Sequence, residues 1–129
     1  MGLGKTFQVT VFLTCMMLRK QVNKVLIISP VSVLESWNRE LLRHLVPHIP
    51  PENNLRIDVA SAEMSKKKRI SVLQSVFNNS KQQRIVISSY HLVANMVTEF
   101  ATLGAWDYVT ILILICEYFQ TNNKRITNF

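Results

Sequence analysis

Val25-Leu26-Ile27-Ile28 is an unbroken apolar run rich in β-branched side chains, and it stops at Ser29-Pro30. Successive side chains of a strand point to opposite faces, so a strand that is apolar at every position must be covered on both. Proline has no N–H to give to a ladder and ends it. The run therefore predicts a buried strand over 25–28 with helices above and below, and the neighbouring sequence supplies them. From Thr6 to Arg19, the residues Phe7, Val11, Phe12, Cys15, Met16 and Leu18 recur at helical spacing, which predicts a helix burying that face. Ser32 to Leu45 reads as a second helix. Ser32 and Glu35 have the spacing of a capping box, and Val33, Leu34, Trp37, Leu41, Leu42 and Leu45 form the inward side.

The pattern repeats further on. Residues 47–54, with Pro47, Pro50, Pro51, Asn53 and Asn54, make a loop, and the alternation Leu55, Ile57, Val59 predicts a short strand over 55–60. Ser65 to Phe77 is a basic amphipathic helix, with Lys66-Lys67-Lys68-Arg69 at its start and Ile70, Leu73 and Phe77 beneath. Arg84 to Ser88 is the next strand, and a helix follows from about His91 to Thr102 until Gly104 breaks it. Trp106 to Ile115 reads as a last, long apolar strand. Strands alternating with helices imply βα units: an α/β fold, mostly a parallel sheet with helices on both faces.

Composition fits one such domain. A chain of 129 residues, 48% hydrophobic, can bury roughly two thirds of its unfolded surface. Gly 3 and Pro 4 exclude collagen-like and low-complexity chains. Cys15 and Cys116 are too few for a disulfide framework and predict buried free thiols in a reducing compartment. The longest apolar stretches, Val9 to Leu18 and Val109 to Cys116, fall short of the roughly 18 residues of a membrane span, and the start lacks the pattern of a signal peptide. The net charge of +7 points to a polyanion: nucleic acid, a nucleotide or an acidic partner.

The sharpest chemical signal is Met1-Gly2-Leu3-Gly4-Lys5-Thr6. Gly4, Lys5 and Thr6 fill the last three defined places of a phosphate-binding loop, G-x-x-x-x-G-K-[ST]. Glycines let backbone N–H groups turn toward phosphate oxygens, a lysine reaches the β and γ phosphates, and a threonine hydroxyl can meet Mg²⁺. A helix beginning at Thr6 would aim its positive end at the same anion. The first glycine of the pattern would precede residue 1. A plain glycine arm fits the same residues, and Met1-Gly2-x-x-x-Thr6 also fits N-myristoylation, which with the Lys66 to Arg69 run would anchor the chain to a membrane.

Further segments favour the phosphate loop. Gly2-Leu3-Gly4-Lys5-Thr6 with Gln8 resembles motif I of the Swi/Snf-type helicase-like ATPases, DNA-dependent motors that include chromatin remodellers and the Cockayne-syndrome-B repair group. Val25 to Pro30, followed by Val33-Leu34-Glu35-Ser36-Trp37-Asn38-Arg39-Glu40-Leu41, resembles motif Ia and its helix. Ile85-Val86-Ile87-Ser88-Ser89-Tyr90 resembles motif Ib, and Trp106-Asp107-Tyr108-Val109 the approach to motif II. The resemblance implies a partial first RecA-like, P-loop lobe over 1–109, with 110–129 as a divergent apolar strand and polar tail. It implies that Gly2, Gly4, Lys5 and Thr6 hold ATP, with Thr6 on Mg²⁺ and Gln8 supporting the loop. Ser29, Pro30, Ser88, Ser89 and Tyr90 would lie near double-stranded DNA or chromatin, in the nucleus and away from any membrane.

Other residues read more simply. Trp37, on the inward side of its helix, is a core residue rather than a contact. His44, His48 and His91 have no Cys or carboxylate at zinc-ligand spacing. The basic run 66–69, with Lys81 and Arg84, is either a phosphate-binding patch or a solvated face.

The chain also departs from the family. It opens inside the phosphate loop, without the strand that in this family precedes it within the sheet. Motif II should bring Asp-Glu after Trp106-Asp107-Tyr108-Val109, yet that register holds Leu112 and Ile113. A slipped register puts Cys116 and Glu117 there, and a thiol is a poor ligand for a hard cation. Tyr118 to Phe129 resembles nothing in the family, and no second RecA-like lobe with arginine fingers follows. These departures predict a truncated product with no catalytic residue of its own, weak nucleotide binding at best and no ATP hydrolysis. The uncharged run 110–115 is an aggregation hazard if its sheet is incomplete. Two alternatives remain beside membrane anchoring: another P-loop enzyme, such as a small-molecule kinase, and a non-catalytic fragment that binds DNA or protein.

Overall fold

The computed structural model describes residues 2–102 and 106–111; Gly104 and residues 112–129, with Cys116 and Glu117, lie outside the described residues. Among the described residues four strands form one sheet: β1 (Lys24–Ser29), β2 (Arg56–Ala60), β3 (Arg84–Ser89) and β4 (Tyr108–Ile111). Their order is β2-β3-β1-β4, and every pairing is parallel, with Ser29 opposite Ser89 and Val25 opposite Tyr108. The helices are α1 (Gly2–Leu18), α2 (Leu34–His44), α3 (Lys66–Val76), α4 (Tyr90–Asn95) and α5 (Val97–Thr102).

The apolar run did what its pattern demanded. Val25 and Ile27 pack with Ile85 and Ile87 beneath α1 and α2, whereas Leu26 and Ile28 pack with Val86 against α3, α4 and α5. All six residues of β1 are buried, as are all six of β3. Each apolar side chain among them contributes about 1.5–3 kcal/mol on removal from water, enough for the two central strands to anchor both layers. The predicted α/β architecture, a parallel sheet with helices on both faces, is the observed one.

Local departures have local causes. In α1 the buried stripe is Thr10, Leu13 and Met17, while Phe7, Val11, Phe12 and Leu18 are exposed, the reverse of the face expected from spacing. This helix has no charged residue between Thr6 and Leu18, so its own pattern could not choose a side, and Leu13 and Met17 are the residues that pack in the core over β1 and β3. Cys15 is exposed rather than buried, in a groove of about 280 Å³ between α1 and the end of α2. Lys20 closes α1 in the left-handed region (φ 57), with its N–H on the Met17 carbonyl and that of Gln21 on Met16.

The capping box at Ser32 does not form. Residues 31–33 make a 3₁₀ turn, α2 starts after Val33, and no side chain caps it. Pro30 sets this geometry: its carbonyl accepts from the Val33 N–H at 3.1 Å. Leu42 is exposed, and Trp37 and Leu41 are buried. The proline-rich loop holds two 3₁₀ turns, Val46–His48 and Pro51–Asn53. The helix expected from His91 to Thr102 is divided at Met96 into α4 and α5. The last strand is described over Tyr108–Ile111, and residues 112–115 lie outside the described residues. Among the described residues, no helix is long and apolar enough to cross a membrane.

The end of the sheet where the strands begin is closed by polar groups. The Asp107 carboxylate accepts from the N–H groups of Asn23 (2.8 Å) and Lys24 (2.9 Å), which clamps β4 to β1. Gln83, 1% exposed, takes a hydrogen bond from Asn53 and donates to the Met17 carbonyl, both at 2.8 Å. Lys24 gives its ammonium to the carbonyls of Asn79 and Gln82. Burial, and then the nearby Arg84 charge, hold Lys24 below the ordinary lysine value of 10.5, while Asp107 opposes them. The unfolded chain therefore binds more protons between the folded value and 10.5, and stability should rise with pH across that window. Urea midpoints of wild type against Lys24→Met are expected to shift in favour of wild type on going from about pH 8 toward that limit. Parallel midpoints would refute this.

Candidate functional site

In a parallel sheet flanked by helices, ligands collect outside the carboxyl ends of the strands, where neighbouring strands send their connections to opposite faces. β1 and β3 form such a pair. β1 leads into α2 on one face and β3 into α4 on the other. Their ends, Ser29-Pro30 and Ser88-Ser89-Tyr90, sit side by side in register.

The start of α1 comes to the same end. Residues 19–23 turn α1 directly into β1, and Leu13 and Met17 share a core cluster with Val25 and Ile27, so helix and strand run antiparallel. Seventeen residues of helix extend about 25 Å and six of strand about 20 Å, which brings the helix start level with or beyond Ser29. Gly2, Gly4 and Lys5 are helical in backbone; the helix begins at Gly2 rather than at Thr6. Thr6 is half-buried and its carbonyl accepts the Thr10 hydroxyl at 2.8 Å. Gln8 is exposed.

The other resemblance-derived residues divide by exposure. Ser29 and Ser88 are fully buried and Ser89 is 4% exposed. The Ser88 hydroxyl donates to the Ala60 carbonyl (3.0 Å), joining the ends of β3 and β2, and the Ser89 hydroxyl accepts from the Leu92 N–H (3.2 Å) as the N-cap of α4. Their hydroxyls hold the ends of the strands in place, whereas Pro30 is half-buried and Tyr90 and His91 face outward. A capping signal was present in the sequence, since a serine directly before a helical run fits an N-cap.

The basic residues divide as well. Arg84 is 3% exposed and pairs with Asp58 at 2.5 Å, so it is not open to phosphate. Arg69 is spent on the carbonyls of Ser61 and Met64. Lys66, Lys67 and Lys68 are exposed where α3 begins, at the crevice end of the sheet; Lys81 is exposed at the opposite end.

This donor set suits one part of a nucleotide-metal complex better than the other. The first N–H groups of a long helix have no intrahelical acceptor and carry its positive end, which suits phosphate. A hard cation needs several oxygens. The carboxylates of Asp58 and Asp107 are engaged toward the far end of the strands, and among the described residues no three His, Cys, Asp or Glu side chains converge. Among the described residues, the donors fit phosphate and no carboxylate set converges on a Mg²⁺ site.

Comparison with known proteins agrees with this frame. The model of the SNF2-related domain matches residues 1–112. The chain belongs to the SNF2-related domain family. It is 26% identical over 115 residues to the DNA excision repair protein ERCC-6-like of Bos taurus and 28% identical over 117 residues to that of Homo sapiens, with 86% of the chain aligned in both. With the ATP-dependent helicase fft2 of Schizosaccharomyces pombe it shares 30% identity over 95 residues, 74% of the chain. The chain spans only 7–8% of the length of these relatives. In this SNF2-related domain the four-stranded parallel sheet and its two helical layers make up a partial RecA-like lobe.

Proposed function

We propose that this SNF2-related chain is a nucleotide-phosphate-binding and DNA-facing part of a nuclear Swi/Snf-type ATPase engaged in chromatin remodelling or DNA repair, and that the 129-residue chain alone does not hydrolyse ATP. The observation that carries the reading is the meeting, at one end of a parallel sheet, of the α1 start with the β1–β3 crevice. The first turn of α1, with Gly2 and Gly4, offers amides to phosphate oxygens, Lys5 supplies charge to the β and γ phosphates, and Gln8 supports the turn from its outer side. The resemblance would add the Thr6 hydroxyl as a single Mg²⁺ ligand, too few by itself to hold the ion. Pro30 and Tyr90 face the DNA, and Ser29, Ser88 and Ser89 shape the backbone that carries them. Residues 1–109 form the lobe portion and 110–129 diverge from it.

Hydrolysis needs a carboxylate to hold the metal and another to position water. Leu112 and Ile113 stand at those places and can do neither. Steady-state assays are expected to show no turnover above background with or without duplex DNA, while fluorescent ATP binds weakly and loses that binding in Lys5→Ala. DNA-stimulated turnover by the purified chain would overturn the inactive reading. A second reading within the family is a non-catalytic fragment that binds DNA or protein, and DNA binding that survives without any nucleotide affinity would select it.

A further inference from the structure

Ser71 is exposed in the second turn of α3, and the run before it is Lys66-Lys67-Lys68-Arg69-Ile70. Cations therefore fill four of the five preceding positions, and the apolar pair Val72-Leu73 follows. Among the described residues no other exposed hydroxyl has this setting. Ser65 follows Ala62-Glu63-Met64, and its oxygen accepts from the Lys68 N–H at 3.2 Å. Ser75 is half-buried, donates to the Val72 carbonyl at 2.7 Å and accepts from Arg84 at 3.3 Å. Ser80 follows Asn78-Asn79.

A hydroxyl directly after basic side chains suits the acidic groove of a basophilic protein kinase, which selects substrates by charge pairing with the residues before the acceptor, here Lys68 and Arg69. Such a groove takes an extended chain, so the first half of α3 has to open. The structure makes that half the weaker one. Its first turn has no acidic residue, and three ammonium groups there oppose both the macrodipole and one another. The buried anchors, Leu73 and Val76, lie in the second half. The first half is held by the Ser65 cap, by half-buried Ile70, and by Arg69 on the carbonyls of Ser61 and Met64. Opening it costs less than unfolding the domain. Once Ser71 carries a phosphate, the same lysines gain a partner. Lys67 and Lys68 precede it by four and three residues, which puts them on its face of the helix. A phosphoserine brings a charge of about −1.5 to −2 and three acceptor oxygens. Repulsion at the start of α3 then becomes pairing, so the modification requires the opening and afterwards opposes it.

We infer that Ser71 is a phosphorylation site for a basophilic protein kinase, and that its phosphate closes the first half of α3 by pairing with Lys67 and Lys68. The phosphoryl donor is ATP bound to the kinase. The bond from Ser71 Oγ to the γ phosphorus forms as the bond from that phosphorus to the β–γ bridging oxygen breaks. ADP leaves with the electron pair, and the hydroxyl proton passes to the catalytic carboxylate of the kinase and then to solvent. The site does not depend on whether this chain itself binds nucleotide or DNA.

The test incubates the full chain with ATP, Mg²⁺ and a purified kinase of the basophilic class, beside a peptide of residues 64–77. A Thr127→Ala background is used throughout, because Lys124-Arg125-Ile126-Thr127 repeats the same string. Mass spectrometry should place one phosphate on Ser71, and Ser71→Ala should lose it. Lys68→Gln should slow its addition at least about tenfold, the loss expected for one charge-assisted contact. Hydrogen exchange then reads the second half of the inference. In the fully phosphorylated chain the amides of 66–72 should exchange about three to ten times more slowly than in the unmodified chain. The double variant Lys67→Gln, Lys68→Gln, phosphorylated by longer incubation, should lose most of that slowing. An unmodified Ser71 in the chain beside a modified peptide would show that α3 does not open, and would overturn the inference; so would a peptide left unmodified. Phosphate mainly on Ser65 or Ser75, equal rates for wild type and Lys68→Gln, exchange that is unchanged or faster after modification, or slowing kept in full by the double variant would overturn it as well.

Discussion

Trp37→Ala is expected to destabilise the chain by about 3–5 kcal/mol, a large fraction of the roughly 5–15 kcal/mol that holds a domain folded. Trp37 is 2% exposed and sits among Leu34, Leu41, Val25, Ile85 and other residues that join α2 to the sheet. Removing the indole leaves a cavity that two rigid central strands cannot collapse to fill. Its indole N–H is buried without an acceptor. An unmet buried donor carries its desolvation cost, so Trp37→Phe loses some volume and removes that cost as well. It should therefore lie within about 1.5 kcal/mol of wild type. Urea unfolding of both variants separates the terms. A Phe variant as damaging as the Ala variant would mean that the indole N–H, and not its volume, is what the site requires.

The second large effect is expected at Asp58. Its carboxylate meets the Arg84 guanidinium at 2.5 Å, with the arginine side chain 3% exposed, and Arg56 approaches it from the solvent side at 3.3 Å. Asp58→Ala leaves a buried cation without its counter-charge, a loss of about 3–5 kcal/mol, although the Ser75 carbonyl and hydroxyl still accept from Arg84. Replacing both partners removes both charges along with their desolvation cost. The double variant Asp58→Leu, Arg84→Met should therefore recover most of the loss. A thermodynamic cycle over the two sites, read by denaturant midpoint, measures the coupling, and strictly additive losses would show that the pair does not act as one unit.

These two sites mark where sequence reading succeeds and where it stops. Trp37 was legible because its place on an inward helical face requires only the helix period. The strands over 25–28 and 84–88 were legible for a similar reason: β-branched apolar runs have one stable setting, covered on both faces. Arg84 was not legible. In sequence it belonged with Lys81 and the run 66–69 as part of either a phosphate-binding patch or a solvated face, and only the pairing of β2 with β3 puts Asp58 beside it. The α1 face failed in the opposite sense. A helix apolar on nearly every side offers its neighbours several faces, and the sheet took Thr10, Leu13 and Met17.

The candidate site divides in the same way. The Gly4-Lys5-Thr6 signal and the segments ending at Pro30 and Tyr90 could be read as short strings, since each carries its own local chemistry or turn. Their arrival at one end of the sheet follows from parallel order, which no local string encodes. That Ser29, Ser88 and Ser89 are buried while Lys66, Lys67 and Lys68 remain exposed is likewise a tertiary result. By itself the sequence determined the α/β class, the buried central strands and the resemblance to Swi/Snf-type ATPases, because these depend on residue type and on period along the chain. The strand order, the buried face of α1, the confinement of Arg84 and the choice of which basic and hydroxyl groups reach solvent were decided only by tertiary structure. Each of these depends on which distant segments compete for the same space and the same partner.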